Sequence, residues 1–252
     1  MKKIVRSLIV PIIIIIVWAL VTTFGDIPQS LLPSLPFVGV GLRNMVESGQ
    51  LANDLLISLG RVVKGFLIAA VLGVTLGSLM GMSKTICEML LPLFTTIRQI
   101  PMMAWFPLII LWCGIGESSK VVIIVIAAFF PILVNTLSGI QSTPEGYLEV
   151  AKMYHLNTWK RFVKLYLPHA IPQILVGLKL GLGVSWMAVV ASELVAATSG
   201  IGYRMNDARS MMQSNKVIVC MLVIGLVGIL MDKLISTLFS LFTPWEKVKK
   251  YN

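Results

Sequence analysis

The chain has 252 residues, 57% of them hydrophobic and 13% charged, with a formal net charge of +10. A soluble domain carries roughly a quarter charged residues, whereas Ser7–Gly25, Gly65–Ser83, Gln99–Gly116 and Val121–Pro144 carry none. A helix needs about 20 apolar residues to cross a bilayer, so these runs exclude an ordinary soluble enzyme or nucleic-acid-binding domain, and the basic excess reads as membrane topology.

The expected fold is all-α and polytopic, with about six transmembrane helices. Lys2, Lys3 and Arg6 precede the first apolar stretch, and Val21–Asp26 lacks a small-x-small cleavage site. That stretch is therefore expected to be an uncleaved first span, Leu8 to Phe24. A loop with Pro28, Pro33, Pro36, Gly39 and Gly41 follows, and then residues 42–58 read as a short amphipathic helix outside the bilayer. The second span is expected over Leu59–Met82. The third covers Met89–Cys113 and is interrupted by Pro92, Pro101 and Pro107. The fourth covers Val121–Ile140, the fifth Ala170–Ala197 and the sixth Val217–Phe242.

Both termini are expected in the cytoplasm. This places Lys2, Lys3, Arg6, Lys84, Lys152, Lys160, Arg161, Lys164, Lys247, Lys249 and Lys250 inside. Arg43, Arg61, Lys64, Lys120, Arg204, Arg209 and Lys216 fall outside. The excess of basic residues on the inner side follows the positive-inside rule. Trp245, beside Lys247, suits an anchor at the inner interface.

Gly73, Gly77 and Gly81 recur at four-residue spacing in the second span, as do Gly177, Gly181 and Ser185 in the fifth. Such stripes allow close approach of a neighbouring helix. They serve either packing within the chain or a face that slides during transport.

The segment Gln141–Pro168 is polar, yet it is patterned as two helices. Thr143 is placed to cap a first helix that starts at Pro144 and ends near His155, with Glu145 at its positive end. Asn157 or Thr158 caps the second, whose Trp159, Phe162, Val163 and Tyr166 form one stripe beside Lys160, Arg161 and Lys164. Pro168 is expected to end it. A basic amphipathic helix joined to membrane spans lies at the inner surface, so the loop presents a helix–turn–helix knob to a cytoplasmic partner.

This segment resembles the cytoplasmic loop of permease subunits of binding-protein-dependent ABC importers. The family pattern is Glu-Ala-Ala, three residues, Gly, nine residues, Ile, one residue, Leu-Pro. Glu149 and Ala151 hold the first and third places, Leu165 the Ile place, and Leu167-Pro168 closes the pattern in register. Val150 replaces the middle Ala and His155 the Gly. The left-handed turn that the Gly allows is costly for His, and its displacement to Leu156-Asn157 is expected. Over residues 55–245, Arg98-Gln99-Ile100-Pro101, Trp105-Phe106-Pro107-Leu108, Leu111–Glu117, Phe129–Ile132, Ser185-Trp186, Ser192-Glu193 and Ser199–Tyr203 resemble the branch that imports nitrate, sulfonates, taurine and similar small anions.

The resemblance implies three regions: a first span and external loop over 1–54, a permease core over 55–245 containing the loop 141–168, and a cytoplasmic tail over 246–252. It implies a multi-pass protein of the bacterial inner membrane, acting as two permease copies, expected to be a homodimer. Two cytoplasmic nucleotide-binding subunits would hold ATP and Mg, and an extracytoplasmic solute-binding protein would deliver substrate. Glu149, Val150, Ala151, Lys152, Tyr154, His155, Leu156, Leu167 and Pro168 would couple to the ATPase subunit. This chain itself is expected to be no enzyme and to bind no cofactor. Its Gly77–Lys84 stretch lacks the adjacent Gly-Lys of a phosphate-binding loop and lies in the second span.

Polar groups at membrane depth face protein or water. The candidates for a translocation pathway are Arg98, Gln99 and Pro101 at a broken helix, with Asn135, Ser185, Trp186, Ser192 and Glu193. Arg98 is the candidate to attract an anion, or else reaches head groups or pairs with an acid. Glu193 is a candidate gate or salt bridge, and Lys179 reaches it only through other elements. Asp232 and Lys233 are expected to reach the inner interface. Cys87, Cys113, Cys220, His155, His169 and the methionines lack metal-ligand spacing. Membrane lipid is an expected partner and nucleic acid is not. A self-sufficient secondary transporter would need coupling carboxylates in paired halves, which are not evident, and no nucleophile or acid–base cluster marks a membrane enzyme. An ABC permease for another small solute, such as a vitamin or thiamine precursor, is the closest alternative.

Overall fold

A computed structural model describes residues 2–242. The expected tail 246–252 and Trp245 lie outside the described residues. Eleven α-helices and one π turn are present among the described residues, and no strand. They are α1 Lys2–Phe24, α2 Leu35–Glu47, α3 Gln50–Met82, α4 Lys84–Arg98, α5 Met102–Cys113 and α6 Glu117–Gln141. They continue as α7 Glu145–Met153, α8 Thr158–Arg161, a π turn Phe162–Tyr166, α9 Leu167–Ala196, α10 Ile201–Ser210 and α11 Ser214–Phe242.

Four helical stretches are long and apolar enough to cross a membrane: Gln50–Met82, Glu117–Gln141, Thr158–Ala196 and Ser214–Ser240. The α4–α5 pair, bent by 98°, is a fifth candidate span if taken together, and the apolar part of α1, Ile9–Phe24, is shorter.

The centre of the fold is α3, α6 and α9. A Cβ on Gly65 would fall 2.6 Å from Ile124, on Gly73 2.8 Å from Ile132 and on Gly81 2.6 Å from Ile140. The partner number rises with the glycine number, so α3 and α6 run parallel. Gly139 meets Ala170, and Gly181 meets Ile132 and Ala128, so α9 runs antiparallel to α6. Lipid is as apolar as leucine, so van der Waals contact at small residues is what holds such helices together. Both glycine stripes therefore serve packing within the chain. α11 closes the bundle on α9, where Trp186 Nε1 donates to the Ile224 carbonyl at 3.0 Å. Trp18 Nε1 donates to the Pro33 carbonyl at 3.1 Å and ties α1 to the following loop.

The structure differs from the sequence reading at several boundaries. Residues 42–58 are not one separate helix: α2 ends at Glu47, Gly49 takes a left-handed φ of 71°, and α3 then runs unbroken through Asp54, Ser58 and Arg61. Pro101 alone breaks the third span. Pro92 and Pro107 sit inside α4 and α5. Pro168 does not end the second loop helix. A proline cannot donate to the carbonyl four residues back and crowds it, and the chain widens into a π turn instead, with Leu167 N bonding Phe162 O. The helix then continues into α9. That turn also unwinds the expected stripe: Phe162 and Tyr166 pack against Ile140, Ala170 and Ile174, while Trp159 and Val163 are exposed.

Candidate functional site

The helix–turn–helix joining α6 to α9 is built by backbone caps. Thr143 does not cap α7, because its hydroxyl is buried without a partner and Pro144 occupies the cap position. The far end of α7 closes in a Schellman motif. Leu156 N donates to Ala151 O and His155 N to Lys152 O, each at 3.0 Å, with His155 at a φ of 50°. The left-handed residue is therefore His155 itself, at the family's glycine position, and not Leu156-Asn157. Asn157 then caps α8 by accepting from Lys160 N at 2.8 Å.

These caps fix which side chains point outward. Ala151 is buried and anchors α7. Tyr147, Val150, Met153 and Tyr154 are exposed, Met153 by 78% and Tyr154 by 76%. Tyr147, Val150 and Tyr154 follow i, i+3, i+7 and form one helical face. Glu149, Lys152 and His155 are also exposed, Leu156 is half-buried, and Leu167 and Pro168 belong to the first turn of α9.

Near the α4–α5 break lies a cavity of about 370 Å³ lined by Arg98, Pro101, Met102, Trp105, Phe130 and Pro131, among others. Arg98 ends α4, and Gln99 is exposed within the break. The other pathway candidates do not line this cavity. Asn135 Nδ2 donates to the Pro131 carbonyl, Ser185 Oγ to Gly181 and Ser192 Oγ to Val189, each at 2.8 Å. Each is satisfied within its own helix, and Trp186 is engaged with α11.

Glu193 belongs to a different centre, at the opposite end of the bundle from the loop. Its carboxylate accepts from Ser58 Oγ at 2.8 Å, Arg61 Nη1 at 2.6 Å and Gly202 N at 2.9 Å. Arg61 Nε also donates to Glu117 at 2.7 Å and Nη1 to the Ser199 carbonyl at 2.8 Å. Asp54 accepts from Gly200 N at 3.1 Å and Arg204 Nε at 2.8 Å. One cluster thus ties α3, α6, α9 and α10 together. Burial works against the Arg204 charge, and the Asp54 carboxylate outweighs it, so its guanidinium is held above the usual arginine range. Gly200 has a φ of 106°, and any Cβ there would overlap the Glu193 carboxylate. The Ser199–Tyr203 motif thus has a steric reason for its first glycine.

No reading of the sequence motifs assembles this cluster. Asp54, Ser58 and Arg61 follow i, i+4, i+7 on one helical face, a legible signal that a helix boundary at residue 58 cuts in two. Lys179 pairs with Asp232 at 3.1 Å rather than serving Glu193.

A polytopic helical bundle with a broken helix and a capped helix–turn–helix between two of its spans is the architecture of a membrane permease. Residues 71–247 match the family model described as "Binding-protein-dependent transport system inner membrane component". The chain belongs to this family and is a permease of the ABC-importer class. It is 35% identical over 241 residues to the "Putative aliphatic sulfonates transport permease protein SsuC" of Bacillus subtilis, covering 96% of this chain and 87% of that one. It is 33% identical over 254 residues to the "Nitrate import permease protein NrtB" of a Synechocystis species, covering 97% and 91%. Among solved structures, an amino acid ABC transporter with histidines superposes with a TM-score of 0.64 at 20% identity, over 80% of this chain and 96% of that one. The MetNI methionine ABC transporter superposes with a TM-score of 0.58 at 15% identity, over 71% and 92%. These last two show the shared fold.

Proposed function

We propose that this permease forms the pathway for a small anion such as a sulfonate, taurine or nitrate, and that α7 is its contact with a separate ATP-hydrolysing subunit. The observation that carries the second half is the exposed face Tyr147, Val150, Tyr154 on a helix held by its own caps. A short, rigid, half-apolar helix in a polar loop is the form that helix-in-groove recognition takes. Glu149, Lys152 and His155 supply its polar rim. ATP and Mg belong to that subunit, and this chain holds neither.

Two permease copies, a homodimer in this reading, and an extracytoplasmic binding protein complete the assembly. The loop lies in the cytoplasm with both termini, and the Glu193 cluster lies on the outer side of the inner membrane. The similarity to sulfonate and nitrate permeases supports the anionic cargo, and Arg98 at the broken helix is the group that receives it. The division into 1–54, a core over 55–245 and a tail over 246–252 belongs to the same reading.

Gentle purification from native membranes, with identification of co-purifying chains and an ATPase assay, tests the coupling. An ATP-hydrolysing partner retained by the wild type and lost in Glu149→Lys is the expected outcome. Normal complex recovery and normal transport in Glu149→Lys would overturn the assignment of α7.

A further inference from the structure

A second concavity lies away from the α4–α5 break. It measures about 690 Å³ and is formed where the end of α3 meets α8 and the π turn. Val74, Thr75, Leu79 and Met82 line one wall, and Trp159 and Phe162 the other. The two rings stand 5.8 Å apart. Ser78 also lines it, and its hydroxyl is buried without a hydrogen-bond partner. The groove is thus almost wholly apolar, with one unused polar group in its wall.

The segment that carries its second wall is the reverse. Lys160, Arg161 and Lys164 fall on the same short stretch as Trp159 and Phe162, and no carboxylate occurs between Glu149 and Glu193. Lys160 and Lys164 are exposed, and Arg161 Nε is buried with no partner. An apolar groove whose wall residues Trp159 and Phe162 alternate in sequence with cations that no nearby carboxylate in the sequence offsets, and whose tryptophan is exposed, matches a molecule with an acyl chain and an anionic head. Basic pockets beside the ends of transmembrane helices hold anionic phospholipid head groups in this way, and tryptophan prefers that depth.

We propose that this groove is a binding site for an anionic phospholipid. One acyl chain lies between α3 and the Trp159–Phe162 pair, and the head group meets Lys160, Arg161 and Lys164. The proposal rests on the reading above only in placing this end of the bundle at a membrane surface. It deepens that reading, because the lipid would brace the same α8–π element that joins the α7 knob to α9.

Native mass spectrometry of the full-length chain, purified with the subunits that accompany it and supplied with either phosphatidylglycerol or phosphatidylcholine, tests it. Phosphatidylglycerol adducts should predominate, and each of Lys160→Gln, Arg161→Gln and Lys164→Gln should weaken them about fivefold. Thr75→Trp, which fills the groove and leaves Lys160, Arg161 and Lys164 in place, should remove the adduct. The double change Lys160→Arg with Lys164→Arg should keep it. Equal retention of the two lipids by the wild type overturns the proposal, and this comparison needs no variant to fold. Loss of a dimer in Thr75→Trp with lipid preference unchanged also overturns it and gives the groove to a second copy of the chain. Adducts are read without ATP hydrolysis or transport, so this result and the α7 result are independent.

Discussion

Arg61 Nη1 on α3 lies 2.6 Å from Glu193 Oε1 on α9, and both side chains are almost fully buried, at 3% and 0% exposure. A pair of this kind is worth little over an apolar replacement, but breaking it leaves one charge stranded. Arg61→Met, which strands the buried Glu193 carboxylate, should cost about 3–5 kcal/mol, and Glu193→Leu should cost less, because Arg61 keeps its pair with Glu117. The double variant should cost less than the sum of the two, by about 1–3 kcal/mol. Thermal unfolding of the purified protein in detergent measures all three, and strictly additive losses would show that the two side chains act independently.

The parallel contact of α3 with α6 depends on the absence of side chains. Gly73→Ala puts a methyl 2.8 Å from Ile132 Cγ2 and 3.2 Å from the Leu133 nitrogen. Overpacking of this kind costs about 1–3 kcal/mol. A methyl added at Gly225 on α11 would meet no atom of the described residues within 4 Å, so Gly225→Ala should instead be neutral or stabilising by up to about 1 kcal/mol through helix propensity. Melting temperatures of the two variants should move in opposite directions or differ clearly in size.

His155 holds a left-handed turn that costs a residue with a side chain about 1–2 kcal/mol. His155→Gly should stabilise the loop or leave it unchanged. His155→Val should destabilise it, because a β-branched residue tolerates positive φ least. Hydrogen exchange at the Leu156 amide, which donates to Ala151, reads the closing bond of the motif directly.

Among the described residues, Arg98 is the one charged group lining the cavity at the break. Arg98→Gln should lower uptake of an anionic substrate by about tenfold or more while the assembled complex is recovered normally, since a charge-assisted hydrogen bond is worth about 1.5–3 kcal/mol. Arg98→Lys should retain part of the uptake. Unchanged anion transport in Arg98→Gln would remove this residue from the pathway.

The loop is readable from sequence because its signals are local. Pro144 and Asn157 mark the two helix starts within a single stretch, and the family pattern falls in register across it. The π turn is not readable. Pro168 signals a stop, and only the packing of Phe162 and Tyr166 against Ile140 and Ala170 lets the chain widen and go on. The Glu193 cluster is half-readable. Its α3 face shows the helical spacing of Asp54, Ser58 and Arg61, but the partner carboxylate stands 132 residues from Arg61, and no local pattern joins them. Asn135, Ser185 and Ser192 each bond a carbonyl three or four residues back in their own helix, as a hydroxyl or amide in an apolar helix commonly does, so a polar residue type there does not by itself mark a partner on another helix.

The helical run from Thr158 to Ala196 has no gap. At 1.5 Å per residue its 39 residues make a rod about 58 Å long. One end carries the α8 turn beside the α7 knob, and the other carries Glu193. A rod of this length magnifies tilt: a swing of about 5° about one end carries the other sideways by roughly 5 Å, more than the reach of a hydrogen bond. A small push at the loop is therefore geometrically sufficient to part Glu193 from Arg61 when the run swings as one piece, and the π turn Phe162–Tyr166 is where a bend would instead absorb the stroke.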